Sequence, residues 1–368
     1  MTMLPDIITN TINSLNQKYD LDITIDTVDD SKLLPTVNKR MMRIRYNIHL
    51  APLFMLYRIG NANLIIKYFL THKYLSYNMY SEADYWLEKT KVKVQREISK
   101  SKDGHFLEFK GCDAQENELL SYQQLFVFLH EYSHCLFHKK EECKRDCFFK
   151  VQETLKEFEG RRENPNSVLV KISKNIHWFS RSFLLGQIGY GFVNRNLDLI
   201  KEISSDEKKI EEFACDFHAL QVLISFLECG KHPIEIQEFF VSYAIQSLYY
   251  LENYKVLDDC LAYKVDINKA EHIALFDSLR YSILIHTFVS YLEGKEEGRG
   301  ITFDRFFDVY RWDARKEFLS QINRFVPLTK DLEEGCLIPK PGVLDSVNNR
   351  IKTIDNLIET LYACRELS

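Results

Sequence analysis

Breakers are scarce in this chain, with 13 glycines and 8 prolines among 368 residues. So few interruptions disfavour a loop-rich or all-β fold. Long apolar runs are missing too. No stretch of 18 apolar residues occurs, and the nearest, Phe239 to Leu251, contains Ser and Gln, so no membrane span is expected. Neither sign of charge dominates: 48 basic against 53 acidic residues leave a net charge of −5. A general nucleic-acid binder would show a basic field, so no nucleic-acid partner is expected. The local basic runs, Lys139-Lys140 and Lys89 to Arg96, have acids directly beside them (Glu141-Glu142, and Glu88 with Glu97) and read as solvated helix faces. Nine cysteines, an odd number without repeating spacing, fit reduced thiols in the cytoplasm better than a disulfide framework. Met1 to Asp6 lacks the charged and apolar regions of a secretory signal. Internal repeats and low-complexity tracts are also missing.

Aromatic residues are plentiful, with 20 Tyr and 25 Phe. Together with the few breakers they favour a helix-rich, well-packed protein. Helical periodicity covers residues 5–19. Two alternating stretches, Leu21 to Val28 and Met41 to Leu50, read as strands that pair in a small sheet or hairpin. Helical text follows over 51–72, with Gly60-Asn61 as a break, and over 73–100. A short strand is expected at His105 to Phe109. Further helices are expected at 118–138, from the end of a charged patch (Lys139 to Asp146) to Gly160, over most of 168–202, and at 206–229, 234–253, 269–292 and 345–361. Ser204 to Asp206 offers caps for the helix that Gly230-Lys231-His232-Pro233 stops. Glu293 to Gly300 is the best linker in the chain.

The sharpest chemistry lies in the expected helix at 118–138, where His130-Glu131-x-x-His134 is set in Leu-Phe-Val-Phe-Leu and Cys-Leu-Phe. Residues four apart return to one helix face, so both imidazoles can bind one metal. Glu131 can then reach a water on that metal. With 11 His and 53 acidic residues, a His-acid-x-x-His pattern arises by chance about 0.05 times in a chain of this length. Polar groups in so apolar a helix are costly to bury unless something compensates them, and a zinc ion would.

A catalytic zinc takes three protein ligands and leaves one position open. His138 shares the face, but eight residues of helix place it about 12 Å from His130, too far for bonds of about 2 Å to a common ion. Glu212 and Asp216 offer a better match, being four apart on the helix expected at 206–229. If Glu212 binds the metal, Asp216 is placed to accept the N–H of a ligating imidazole, with His130 favoured. Ala214 and Ala219 are small enough for close packing of two helices. Cys215 and His218 remain alternative third ligands, His218 the first rival, and Glu211, Glu212 and Asp216 could instead form a solvated acidic face.

His130-Glu131-x-x-His134 followed by Glu212-x-x-x-Asp216 resembles the gluzincin arrangement, zinc peptidases with a glutamate as third ligand. His-Glu-Tyr-Ser-His-Cys-Leu-Phe-His and Glu-Glu-Phe-Ala-Cys-Asp-Phe-His-Ala are locally similar to ImmA/IrrE-type intracellular peptidases and to Lit-type phage-exclusion peptidases. The resemblance implies a mainly α, α+β fold: a helical zincin-like metallopeptidase domain over 1–292 with a small N-terminal sheet. Residues 139–203 would be a helical insertion between the ligand helices, and 293–368 a linker and C-terminal helical extension packed on the same domain. It also implies a zinc cofactor on His130, His134 and Glu212, and hydrolysis of peptide bonds in a protein substrate. In that chemistry Glu131 acts as general base, and a downstream His and Arg, His272 and Arg280, stabilise the oxyanion. Tyr281, His286 and Arg350 are further options for that role. Two other classes stay open: a zinc-binding regulatory or sensor module without turnover, and a helical interaction protein. Cys143-x-x-x-Cys147 lacks a second pair for a metal site. Gly186-x-x-Gly189-x-Gly191 lacks the strand of a phosphate loop.

Overall fold

Helix α1 (Asp6–Tyr19) starts at Pro5, whose fixed φ suits a helix entrance, and it carries Asp6 in the first turn, where the helix dipole favours an acid. Ile8, Ile12 and Leu15 share one buried face. Asp20, in the left-handed region at φ 52°, ends the helix by donating its N–H to Asn16 O. The Asn16 side chain then bonds both backbone groups of Ile23 and aims the chain into the sheet. The computed structural model describes residues 5–29, 33–59, 62–102, 116–160, 200–262 and 343–366, with the helical positions 279, 280, 283, 284, 287, 288 and 291.

The protein is mainly α-helical with one small sheet. Strands β1 (Thr24–Val28), β2 (Thr36–Asn38) and β3 (Arg43–Asn47) lie in the order β1-β3-β2. The two expected strands do pair, but in parallel, with Thr24 opposite Arg43. A parallel pair cannot be joined by a hairpin. The connection instead runs out through β2, which lies antiparallel to β3 on its other side. Ile44 and Tyr46 turn inward and Arg43 and Arg45 outward, the period-2 pattern of a half-buried strand.

Those inward side chains meet α5 (Glu116–Lys139), the helix that carries the motif. Tyr46 packs its ring 4.7 Å from that of Phe128 and donates its hydroxyl to Gln124. Helix α5 is apolar around nearly its whole circumference, which is the pattern of a helix buried in a core. It is flanked by α1, the sheet, α2 (Leu50–Ile59), α6 (Glu141–Gly160), α7 (Glu207–Cys229) and α8 (Ile234–Ala262). Asp206 caps α7 by accepting from the N–H groups of Lys208 and Lys209. Gly230 follows α7 because the His232 ring lies over it: a Cβ there would stand 2.7 Å from His232 Cδ2.

Helices α3 (Ala62–Ser76) and α4 (Tyr80–Lys102) form a second layer, closed by the C-terminal helix α9 (Val343–Glu366). The helical text over 51–100 breaks at Asn78 as well as near Gly60. Asn78 sits at φ 59°, a conformation asparagine tolerates, and Met79 N bonds back to Tyr74 O. The expected strand at 105–109, most of the expected insertion (161–199) and the linker at 293–300 lie outside the described residues. No described helix is long and apolar enough to cross a membrane.

A buried polar node fastens α9. The His49 ring gives Nδ1 to Asp355 at 2.6 Å and Nε2 to Asp29 at 2.9 Å, while the Tyr68 hydroxyl donates to Asp355. Burial alone would lower the His49 pKa, but the two carboxylates outweigh it and push it up to about 9. A raised histidine pKa contributes stability in full below its unfolded value of about 6.5, and loses it as pH rises through the folded value. Chemical denaturation of the wild type should therefore show stability falling between pH 6.5 and 9 more steeply than in His49→Gln. Equal slopes would remove His49 as the group responsible.

Candidate metal centre

His130 and His134 stand one turn apart on α5, their rings 4.9 Å apart and nearly perpendicular. Helix α7 packs against α5, and its small residues Ala214 and Ala219 are both buried. It delivers Glu212 to the two rings: Oε2 lies 3.4 Å from His130 Nε2 and Oε1 lies 3.4 Å from His134 Nε2. Tetrahedral bonds of about 2 Å put neighbouring ligand atoms about 3.3 Å apart. The three residues, their ligand atoms within 4.8 Å of one another, can therefore hold a metal ion.

The outward nitrogens are held just as firmly. His130 Nδ1 is 2.8 Å from Asp216 Oδ1, and His134 Nδ1 is 2.9 Å from Glu211 Oε1. Each carboxylate is in turn held by a cation. Buried Arg280 gives Nε to Asp216 Oδ2 at 2.6 Å and Nη2 to Oδ1 at 2.8 Å. Lys39, from the β2–β3 turn, donates to Glu211, and Lys144 of α6 lies 3.8 Å from the same group. Such outer partners fix the tautomer that presents Nε2 to a metal.

The electrostatics agree with this geometry. Burial would lower the His130 pKa, but Asp216 and Glu212 overcome it and push it to about 10. His134 is raised against the same burial by Glu211 and Glu212. Glu212 is held far below the carboxylate range by the two imidazoles and Arg280, although burial opposes this. The His134 bond, with help from Lys39, brings Glu211 down to about 2. A pocket that favours positive charge on two rings around a carboxylate favours a divalent cation between them for the same reason. Glu131, next to His130, has its carboxyl pushed up, chiefly by burial.

The alternatives weighed for the third position point elsewhere. Cys215 Sγ lies 3.4 Å from His134 Nδ1, the nitrogen facing away from Glu212, and burial pushes its thiol well up. His218 bonds Ser133 Oγ through Nδ1 at 2.8 Å and faces the Tyr19 hydroxyl at 3.4 Å. Burial lowers its pKa to about 4, so it is a neutral core histidine between α5 and α1. His138 is exposed near the end of α5. Arg350 lies on α9, bonded to Asp84 and Glu88 of α4, and is spent on helix docking. Arg280 sits behind the ligands, bound to Asp216, with Nη2 3.7 Å from Glu212 Oε2. Its contacts make it a positioning group. His272, Tyr281 and His286 lie outside the described residues.

Sequence reasoning missed Glu211, Lys39 and Lys144. Glu211 precedes the ligand, and only the rotation of α7 shows that it reaches the second ring; the two lysines come from distant elements. Searches against protein-family models, curated proteins and solved structures find no match to this chain.

Loss of an outer carboxylate should loosen the metal while leaving all three ligands in place. Glu211→Gln is expected to lower metal affinity by about 10- to 100-fold in competition with a chromogenic chelator. Asp216→Ala goes further, since it also removes the two-bond partner of the buried Arg280 guanidinium. It should cost about 3–5 kcal/mol of stability by denaturant titration.

Proposed function

We propose that the protein is a zinc-dependent endopeptidase acting on a protein substrate in the cytoplasm. The observation that carries this reading is the convergence of His130, His134 and the Glu212 carboxylate, with ligand atoms within 4.8 Å of one another and Glu131 beside them on α5. Two imidazoles and one carboxylate are a ligand set of catalytic zinc, whereas magnesium and calcium favour oxygen-only sets. Zinc held there supplies Lewis acidity, polarising the scissile carbonyl and acidifying water.

The chain's own residues do the rest. Glu131 accepts the proton of the attacking water and passes it to the departing amine nitrogen. The rise in its carboxyl pKa brings it closer to neutrality, which helps both halves of that transfer. Asp216 and Glu211 keep the rings aimed, and Arg280 keeps Asp216 ionised in a buried place. On the gluzincin resemblance alone, His272 is the proposed donor to the developing oxyanion. A cytoplasmic setting is supported by the unpaired thiols of Cys135, Cys143, Cys147, Cys215 and Cys229.

Cells expressing the wild type or Glu131→Gln, compared for new protein termini, test the reading. The wild type should generate termini that the variant lacks, with turnover at least about 100-fold lower in the variant and zinc content equal in both. Equal cutting by both would exclude Glu131 as the base. Zinc in both and cutting in neither would favour the zinc-binding regulatory module without turnover.

A further inference from the structure

Helices α3 and α4 carry eight Lys or Arg against four Asp or Glu, within a chain whose net charge is −5. Lys89, Lys93 and Arg96 follow one another at helical spacing and make a single stripe along α4. From α3, half-buried Lys67 lies near the stripe. Its ammonium pKa is lowered by burial and by the charges of Lys93, Lys89 and Arg96. Lys67, Lys89 and Arg96 form no ion pair with any described residue.

Two of the acids that flank the stripe in sequence are engaged elsewhere, and the third pairs within it. Asp84 and Glu88 bind Arg350 of α9, and Glu97 takes Lys93 Nζ at 2.9 Å. Tyr85 opens the same stripe with its ring 54% exposed, and Lys89 Nζ sits 5.2 Å from the ring centre. Three cations are thus gathered around a half-buried ammonium, beside an aromatic ring that packs on Trp86 and is still 54% exposed. Holding like charges together costs free energy that a polyanion would offset.

Against the expectation drawn from overall charge, which set nucleic acids aside and read Lys89 to Arg96 as a solvated face, we propose that this α3–α4 face binds the phosphate backbone of a single-stranded nucleic acid, with Tyr85 stacking on a base. From Tyr85 to Arg96 the stripe runs about 16 Å along the helix, the reach of a few nucleotides. Cations that track a backbone beside an aromatic platform are the usual means of holding a single strand. A strand can follow the stripe and leave Asp84 and Glu88, which face Arg350, to one side, whereas an anionic bilayer would press against them too. An acidic peptide would leave the Tyr85 ring unused.

Fluorescence anisotropy of the full-length protein with a labelled oligothymidylate of about 12 nucleotides, titrated at several salt concentrations, tests the proposal. Four phosphate contacts predict a slope of log affinity against log salt near about −2.8, and the double variant Lys89→Gln/Arg96→Gln should halve it to about −1.4. Tyr85→Ala should weaken binding about tenfold without changing the slope. The substituted side chains are exposed, so circular dichroism should show the fold retained, and Lys208→Gln on α7 should bind as the wild type does. No oligonucleotide binding, or a slope that the double variant leaves unchanged, would overturn the proposal. So would displacement of the oligonucleotide by polyglutamate or by anionic vesicles at equal charge, which would mark the face as a dock for acidic protein or membrane.

Discussion

Two imidazoles pinned from behind are the constraint on which the centre depends. Each ring is fixed at Nδ1 by a carboxylate, and each carboxylate is answered by a cation from another part of the chain. Asp216 and Arg280 are nearly sealed from water, so their mutual attraction must outweigh the cost of desolvating both. The two-bond contact between guanidinium and carboxylate is the geometry that can do so. With both rings locked, Nε2 faces inward on each, and Glu212 meets them without rearrangement.

That locking ties the centre to the whole fold. The β2–β3 turn reaches it through Lys39, α6 through Lys144, and the segment after α8 through Arg280. The sheet rests on α5 through Tyr46, one face of the helix whose other face carries the histidines. Away from the centre, the His49 node repeats the same physical solution with an imidazole between two carboxylates, and there it docks a helix. Beside that node the His72 ring is fully buried, neither nitrogen hydrogen-bonded to a described residue, and burial keeps it neutral next to the charge on His49.

Some of this was legible in the sequence and some was not. Helical periodicity alone puts His130 and His134 on one face, with Glu131 beside the first. The same rule paired Glu212 with Asp216 and assigned Asp216 to His130, as the contacts have it. Choosing among Glu212, Cys215 and His218 was beyond periodicity, because all three lie within two turns of α7 and only its rotation against α5 selects one. Arg280 was expected as a donor to the oxyanion; its two-bond pairing with buried Asp216, and its place 3.7 Å from Glu212, were not legible, since burial next to a distant carboxylate decides where a guanidinium pairs. Strand β2 is too short for its alternation to register, and the parallel pairing of β1 with β3 depends on a crossover that local pattern does not encode.

By itself the sequence determined the helical character, the short N-terminal strands and the identity of the residues able to bind a metal, because periodicity and residue chemistry are local properties. Tertiary structure decided which of those residues meet. The rotation of α7 on α5 brought Glu212 to the rings and turned Cys215 and His218 away. Packing of distant elements then supplied Lys39, Lys144 and Arg280. Convergence of this kind depends on how helices are turned against one another, and no spacing along a single helix contains it.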